Sequence, residues 1–147
     1  MIEEQLREVE KKVENIVEKL LRGTSYILVD VAFKGIGGRR KLEIAIDKPG
    51  GITLDECEKL SYEISLALDA EDFVPGPYIL EVGSPGLDRV LKTDRELMWA
   101  KGKKVKIYTK SGELGGVLDN FDKESITLAS GEKIKRSDIT KIKIDEV

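Results

Sequence analysis

The sequence predicts an α+β protein built from two modules joined by a short linker. An N-terminal α-β-β-α-β sandwich-like domain is expected over 1–90, a linker with a short helix over 91–101, and a small β-barrel over 102–147. Three observations carry this. Residues 2–22 repeat apolar side chains at steps of three and four, the period of a helix face. From 26 to 82, β-rich runs alternate with one further helical pattern. After 102, five short β-rich runs separated by turn residues fill the rest of the chain, the pattern of a small barrel.

The first helix places Ile2, Leu6, Val9, Val13, Ile16, Val17, Leu20 and Leu21 on one face. Glu8–Lys12 and Glu18–Arg22 support it at four-residue spacing, and Gly23 follows as a C-terminal cap. Tyr26–Phe33 and Lys41–Asp47 are strand candidates. Between them lies KGIGGRR. Its glycines are those of a phosphate cradle, but strands flank it on both sides, so a hairpin loop is the expectation. Arg39 and Arg40 would give that loop a basic tip suited to a phosphate backbone. Asp47-Lys48-Pro49-Gly50-Gly51 is a turn. Thr53 and Glu56 then form a capping box that opens a second helix, apolar at Cys57, Leu60, Ile64, Ala67 and Leu68. A third strand, 78–82, runs into Gly83-Ser84-Pro85-Gly86.

A second capping box, Thr93 with Glu96, opens a short helix through Trp99. Strands are then expected at Lys103–Thr109, Glu113–Phe121, Ser125–Leu128, Lys133–Arg136 and Ile139–Ile144. The stretch from Ser111-Gly112-Glu113 through Gly116-Val117-Leu118 to Phe121-Asp122 resembles the Sm-like version of the SH3-type barrel, in which glycines let a long second strand bend. That resemblance speaks to fold more than to activity.

Composition removes several chemistries. The chain of 147 residues has no histidine and one cysteine, Cys57. Ser-His-Asp and Cys-His catalysis and histidine or cysteine-cluster zinc sites are therefore excluded, and no disulfide closes within the chain. No cofactor or metal is expected. Cys57 falls on the apolar face of its helix and reads as a buried, inert thiol. No apolar run is long enough to span a bilayer, so no membrane partner is expected, and the single cysteine fits a reducing cytoplasm. The net charge of −3 hides an asymmetry. Residues 1–100 carry 14 Lys/Arg against 20 Asp/Glu, a net of −6, whereas 101–147 carry 11 against 8, a net of +3.

Three segments together resemble one family. IDKPGGITLDECEKLS (46–61), LDAEDFVPGPYILEVGSPGLDRVL (68–91) and the terminal Sm-like barrel are similar, in order, to the bacterial ribosome maturation factor RimP family. The resemblance implies a non-enzymatic cytoplasmic factor that binds the immature small (30S) ribosomal subunit and assists its assembly. It also implies contacts to ribosomal RNA and to a small-subunit ribosomal protein. Gly83 and Val90 depart from the family pattern, which usually has serine and proline there.

Ser84, Pro85, Gly86, Leu87, Asp88 and Arg89 are the family signature and a candidate partner-binding stretch. Gly83 and Gly86 would allow a turn between the modules, Leu87 would anchor it in an apolar seam, and Asp88 and Arg89 would pair or meet a partner. A nucleophilic Ser84 is disfavoured: it has no histidine base, and Pro85 lacks the N–H an oxyanion hole needs. Lys103, Lys104 and Lys106 are the barrel's candidate RNA-phosphate contacts, with Lys104 and Lys106 on one side of the strand and Lys103 on the other. The acidic first module suits a basic ribosomal protein better than RNA. A monomer is expected; the alternative is an Sm-like RNA-binding protein acting as a self-associating ring.

Overall fold

The helix-period and strand-period segments fold where their patterns place them. The computed structural model describes residues 2–146. It is a mixed α+β protein with three α-helices and two sheets, in the order α1 (Glu3–Leu21), β1 (Ile27–Lys34), β2 (Arg40–Asp47), α2 (Leu54–Glu71), β3 (Tyr78–Gly83), α3 (Asp94–Ala100), β4 (Lys104–Thr109), β5 (Gly112–Phe121), β6 (Ser125–Leu128), β7 (Lys133–Lys135) and β8 (Ile139–Ile144). The chain divides into two compact units between Pro85 and Gly86.

In the first unit, β1 pairs antiparallel with β2, and β2 pairs parallel with β3, giving the order β1-β2-β3. The buried parity of the strands, including Val31, Phe33, Leu42, Ile44 and Ile46, shares one core with Val9, Val13 and Val17 of α1 and Leu60, Ile64 and Leu68 of α2. Thirteen side chains make up the buried part of this core, enough for the burial term to dominate the unit's stability. Gly23, at φ +80°, ends α1 in the left-handed conformation that glycine adopts without strain. At the edge of the sheet, the Phe33 N–H donates to Glu10 of α1 at 2.8 Å, so a carboxylate satisfies a donor the ladder leaves open.

The Thr53–Glu56 capping box forms: Thr53 Oγ1 accepts from the Glu56 N–H at 3.1 Å, and Glu56 Oε1 accepts from the Thr53 N–H at 3.0 Å. The other Glu56 oxygen accepts from Lys48 and, at 2.7 Å, from the Tyr26 hydroxyl. One carboxylate thus ties the 47–51 turn, the start of α2 and the segment entering β1. The Lys48 ammonium, the Tyr26 hydroxyl and the Thr53 N–H hold the Glu56 carboxyl down at about 2. A carboxyl depressed in the folded state stabilises the fold above its unfolded pKa and loses that contribution as pH falls toward its folded value. Glu56→Gln is therefore expected to lower the urea midpoint at pH 7. The gap between variant and parent should close as pH is taken from about 5 toward 2. A gap that stayed constant with pH would contradict the role given to this carboxylate.

The second unit has a five-stranded antiparallel sheet, ordered β7-β6-β5-β4-β8, and a separate core. Leu91, Leu97 and Ala100, from the segment expected to be a linker, are buried in that core with Val105, Ile107, Leu118, Ile126 and Ile144. The Thr93–Glu96 capping box opens α3 as its spacing requires. The register slips between Leu118 and Asn120 of β5, the longest strand, which pairs with β4 along one half and with β6 along the other.

Candidate nucleic-acid interface

Alternation along β4 buries Val105 and Ile107 and turns Lys104, Lys106 and Tyr108 outward. On β8, Ile142 and Ile144 are buried while Lys141 and Lys143 take the other face. The register then brings the two sets together, with Lys106 opposite Lys143 and Tyr108 opposite Lys141. Lys141 Nζ stands 4.6 Å from the centre of the Tyr108 ring. On the far side of β4, Lys106 faces Gly115 and Lys104 faces Val117. Gly115 carries no side chain, so the backbone beside the lysines is open to approach.

Like charges directly opposite on a sheet repel. Here the Lys106–Lys143 pair is relieved only in part, by Glu113 at 3.8 Å from Lys106. Among the described residues, Lys104, Lys141 and Lys143 form no ion pair with a carboxylate. The arrangement is a row of four ammonium groups with one aromatic ring, a surface that gains when a polyanion supplies the counter-charge.

The other candidates are placed differently. Lys103 lies off this face, with its Nζ 5.1 Å above the Trp99 ring and 3.8 Å from Glu146. Arg39 is exposed in the hairpin loop. Arg40 is buried: its guanidinium donates to the Gly35 carbonyl at 3.2 Å and sits 5.6 Å from the Phe33 ring centre, so it braces the loop from inside. Phe121 packs partly against the second core, and Cys57 is buried, which pushes its thiol up.

The signature stretch resolves into two parts. Ser84 is exposed at the end of the first unit. Beyond it, Leu87 and Arg89 accept through their carbonyls from the N–H groups of Glu146 and Ile144, at 3.3 and 2.9 Å, and the Leu91 N–H donates to Ile142 at 2.8 Å. Val90 bridges Lys143 in the same register. Residues 87–91 thus run antiparallel along the outer edge of β8. Leu87, expected in an apolar seam, is instead 60% exposed, because it lies at the outer end of this added ladder. Arg89 turns toward α3, where its Nε donates to Glu96 Oε2 at 2.6 Å. The other oxygen of Glu96 accepts the N–H groups of Lys92 and Thr93 at 2.8 and 3.0 Å.

A family model, the RimP N-terminal domain, matches residues 16–88. The chain belongs to the RimP family. The matched span runs from the second half of α1 through β3 and into the signature as far as Asp88. RimP proteins are ribosome maturation factors, and the family implies a ribosomal subunit as partner. Among the described residues, no helix is long and apolar enough to cross a membrane.

Proposed function

We propose that this chain binds the immature small ribosomal subunit and assists its assembly without catalysing a reaction, using the β4/β8 face of the second unit to hold ribosomal RNA. The observation that carries the reading is the register that sets Lys106 against Lys143 and Tyr108 against Lys141. Four cations on one sheet face suit phosphate contacts, which position a protein on RNA without reading sequence. A single half-exposed ring, Tyr108, gives little stacking surface, which fits contact with shape and backbone over base-by-base recognition.

The first unit suits a different component. The outer side of α2 and its exit expose Asp55, Glu58, Asp69, Glu71 and Asp72. Such a surface repels RNA and attracts a basic ribosomal protein. On this reading the factor works in the cytoplasm, needs no cofactor, and bridges RNA and protein.

The five strands of the second unit are read as a barrel of the Sm-like type. The slip at Leu118–Asn120 supports a sharp bend in β5. So does Gly116, where a Cβ would come within 3.2 Å of Leu128 Cδ1. A self-associating ring is disfavoured, because head-to-tail pairing of such sheets needs both edges free. Residues 87–91 already lie along β8, so of the described strands only β7 keeps a free edge, which supports the reading of a chain that does not form a ring. Charge reversal of the β4/β8 lysines tests the reading through binding of precursor subunits.

A further inference from the structure

A second cationic feature lies at the opposite end of the same sheet. The turn leaving β5 is fixed by Asp122, whose Oδ1 accepts the N–H groups of Glu124 and Ser125, each at 2.8 Å, and the Ser125 hydroxyl at 3.2 Å. Those backbone donors hold the Asp122 carboxyl below its ordinary range, and nearby Lys133 adds to the effect. Across from the turn, β7 pairs with β6, Ser125 facing Lys135 and Thr127 facing Lys133. Ile134 packs on the core, so Lys133 and Lys135 point outward together.

Between turn and strand lies a groove of about 610 Å³, lined by Lys123, Ser125, Lys133, Lys135, Arg136 and Ser137, with Asp122 and Glu124. Arg136 is set in place by donating to the Asp122 carbonyl at 2.8 Å and to Asp94 at 3.1 Å. Among the described residues, Lys123, Lys133 and Lys135 form no ion pair. The Asp122 carboxylate is already engaged by its own turn, so Glu124 is the one lining carboxylate without such a role. A concave site with three uncommitted ammonium groups, a positioned guanidinium and the exposed Ser137 hydroxyl has the chemistry of a phosphate receptor.

We propose that this groove binds a phosphate group of an RNA strand, as a contact separate from the β4/β8 face. The proposal rests on the reading that the second unit faces RNA. Sheet order puts three strand spacings between β7 and β4, about 14 Å along the sheet at about 4.8 Å each. One strand of RNA can therefore engage both features, with its path set by their separation.

The test uses the full chain and a fluorescein-labelled dodecamer of uridylate, with anisotropy followed across a salt series. K133A/K135A removes two exposed lysines without touching the core, and circular dichroism checks its fold. It is expected to bind several-fold more weakly. The slope of log affinity against log salt should fall by about 0.7, the value for one single-strand phosphate contact. Unchanged affinity and slope in K133A/K135A, alongside a loss in K104E/K106E/K143E, overturns the groove and leaves the proposed function standing. No loss in either variant overturns both. Amide-shift titrations with inorganic phosphate and ATP separate the sources. Weak, unsaturated shifts at Lys133, Lys135 and Ser137 agree with an RNA phosphate. Saturable ATP binding tighter than that of the RNA assigns the groove to a free nucleotide and overturns the RNA assignment.

Discussion

Replacing Glu96 with alanine is expected to cost the second unit about 3 kcal/mol, the lower end of what breaking a buried ion pair costs. The side chain is 4% exposed, and it binds Arg89 through one oxygen and the N–H groups of Lys92 and Thr93 through the other. Alanine leaves the Arg89 guanidinium without this partner, removes the reciprocal half of the α3 capping box and opens a cavity beside Leu97. At about 4–8 °C per kcal/mol for a domain of this size, the thermal transition of the unit should drop by more than about 10 °C. Glu96→Gln keeps the shape and, through its one carbonyl oxygen, the two backbone contacts, but turns an NH2 group toward the Arg89 Nε–H and so loses that hydrogen bond with the charge; it should fall between parent and alanine. Hydrogen exchange should locate the damage, with protection lost first at Leu91 and through 94–100. An alanine variant with the parent's melting temperature would contradict the role assigned to this carboxylate.

The second large effect belongs to the lysine face. In K104E/K106E/K143E, three ammonium groups on neighbouring strands become carboxylates, and no core side chain is altered. If each lysine meets one phosphate, neutralising all three lowers the salt slope by about 2, and reversing them goes further by adding repulsion. Binding to precursor subunits should be lost at physiological salt while the melting temperature changes little, since exposed substitutions away from caps and core move stability by about 0.5 kcal/mol or less. The Lys106–Lys143 repulsion is replaced by one between two carboxylates, and the Lys106–Glu113 pair is lost, so the exchange brings the sheet no gain in stability. A variant that binds as the parent does would remove the β4/β8 face from the RNA contact.

Most of the secondary structure was legible because it is locally encoded. The apolar steps of α1, the two capping boxes and the alternation of β4 to β8 each lie within a few consecutive residues, and each forms where its pattern stands. What could not be read is the pairing of distant segments. GLDRV has no strand pattern of its own, yet its backbone runs along β8, more than fifty residues further on, and covers that edge. The same distance hid the fate of Arg89: its partner Glu96 is in the chain nearby, but only the turn into α3 aims the carboxylate at it. Lys104 and Lys106 were recognisable on β4, whereas the alliance with Lys141 and Lys143 depends on the β4–β8 register. Arg40 shows the converse error of local reading. Beside Arg39 it looks like half of a basic tip, but the hairpin turns it inward onto Phe33.

The central claim is that the chain recognises the unfinished small subunit through RNA held on its second unit. Co-sedimentation of the purified full chain with precursor and with mature small subunits, repeated across a salt series, tests it most directly. The account predicts that the parent chain pellets with precursor subunits in a salt-sensitive manner and stays in solution with mature ones, and that K104E/K106E/K143E stays in solution with both. Equal recovery on mature subunits, or recovery of the lysine variant on precursors at the level of the parent, would contradict it.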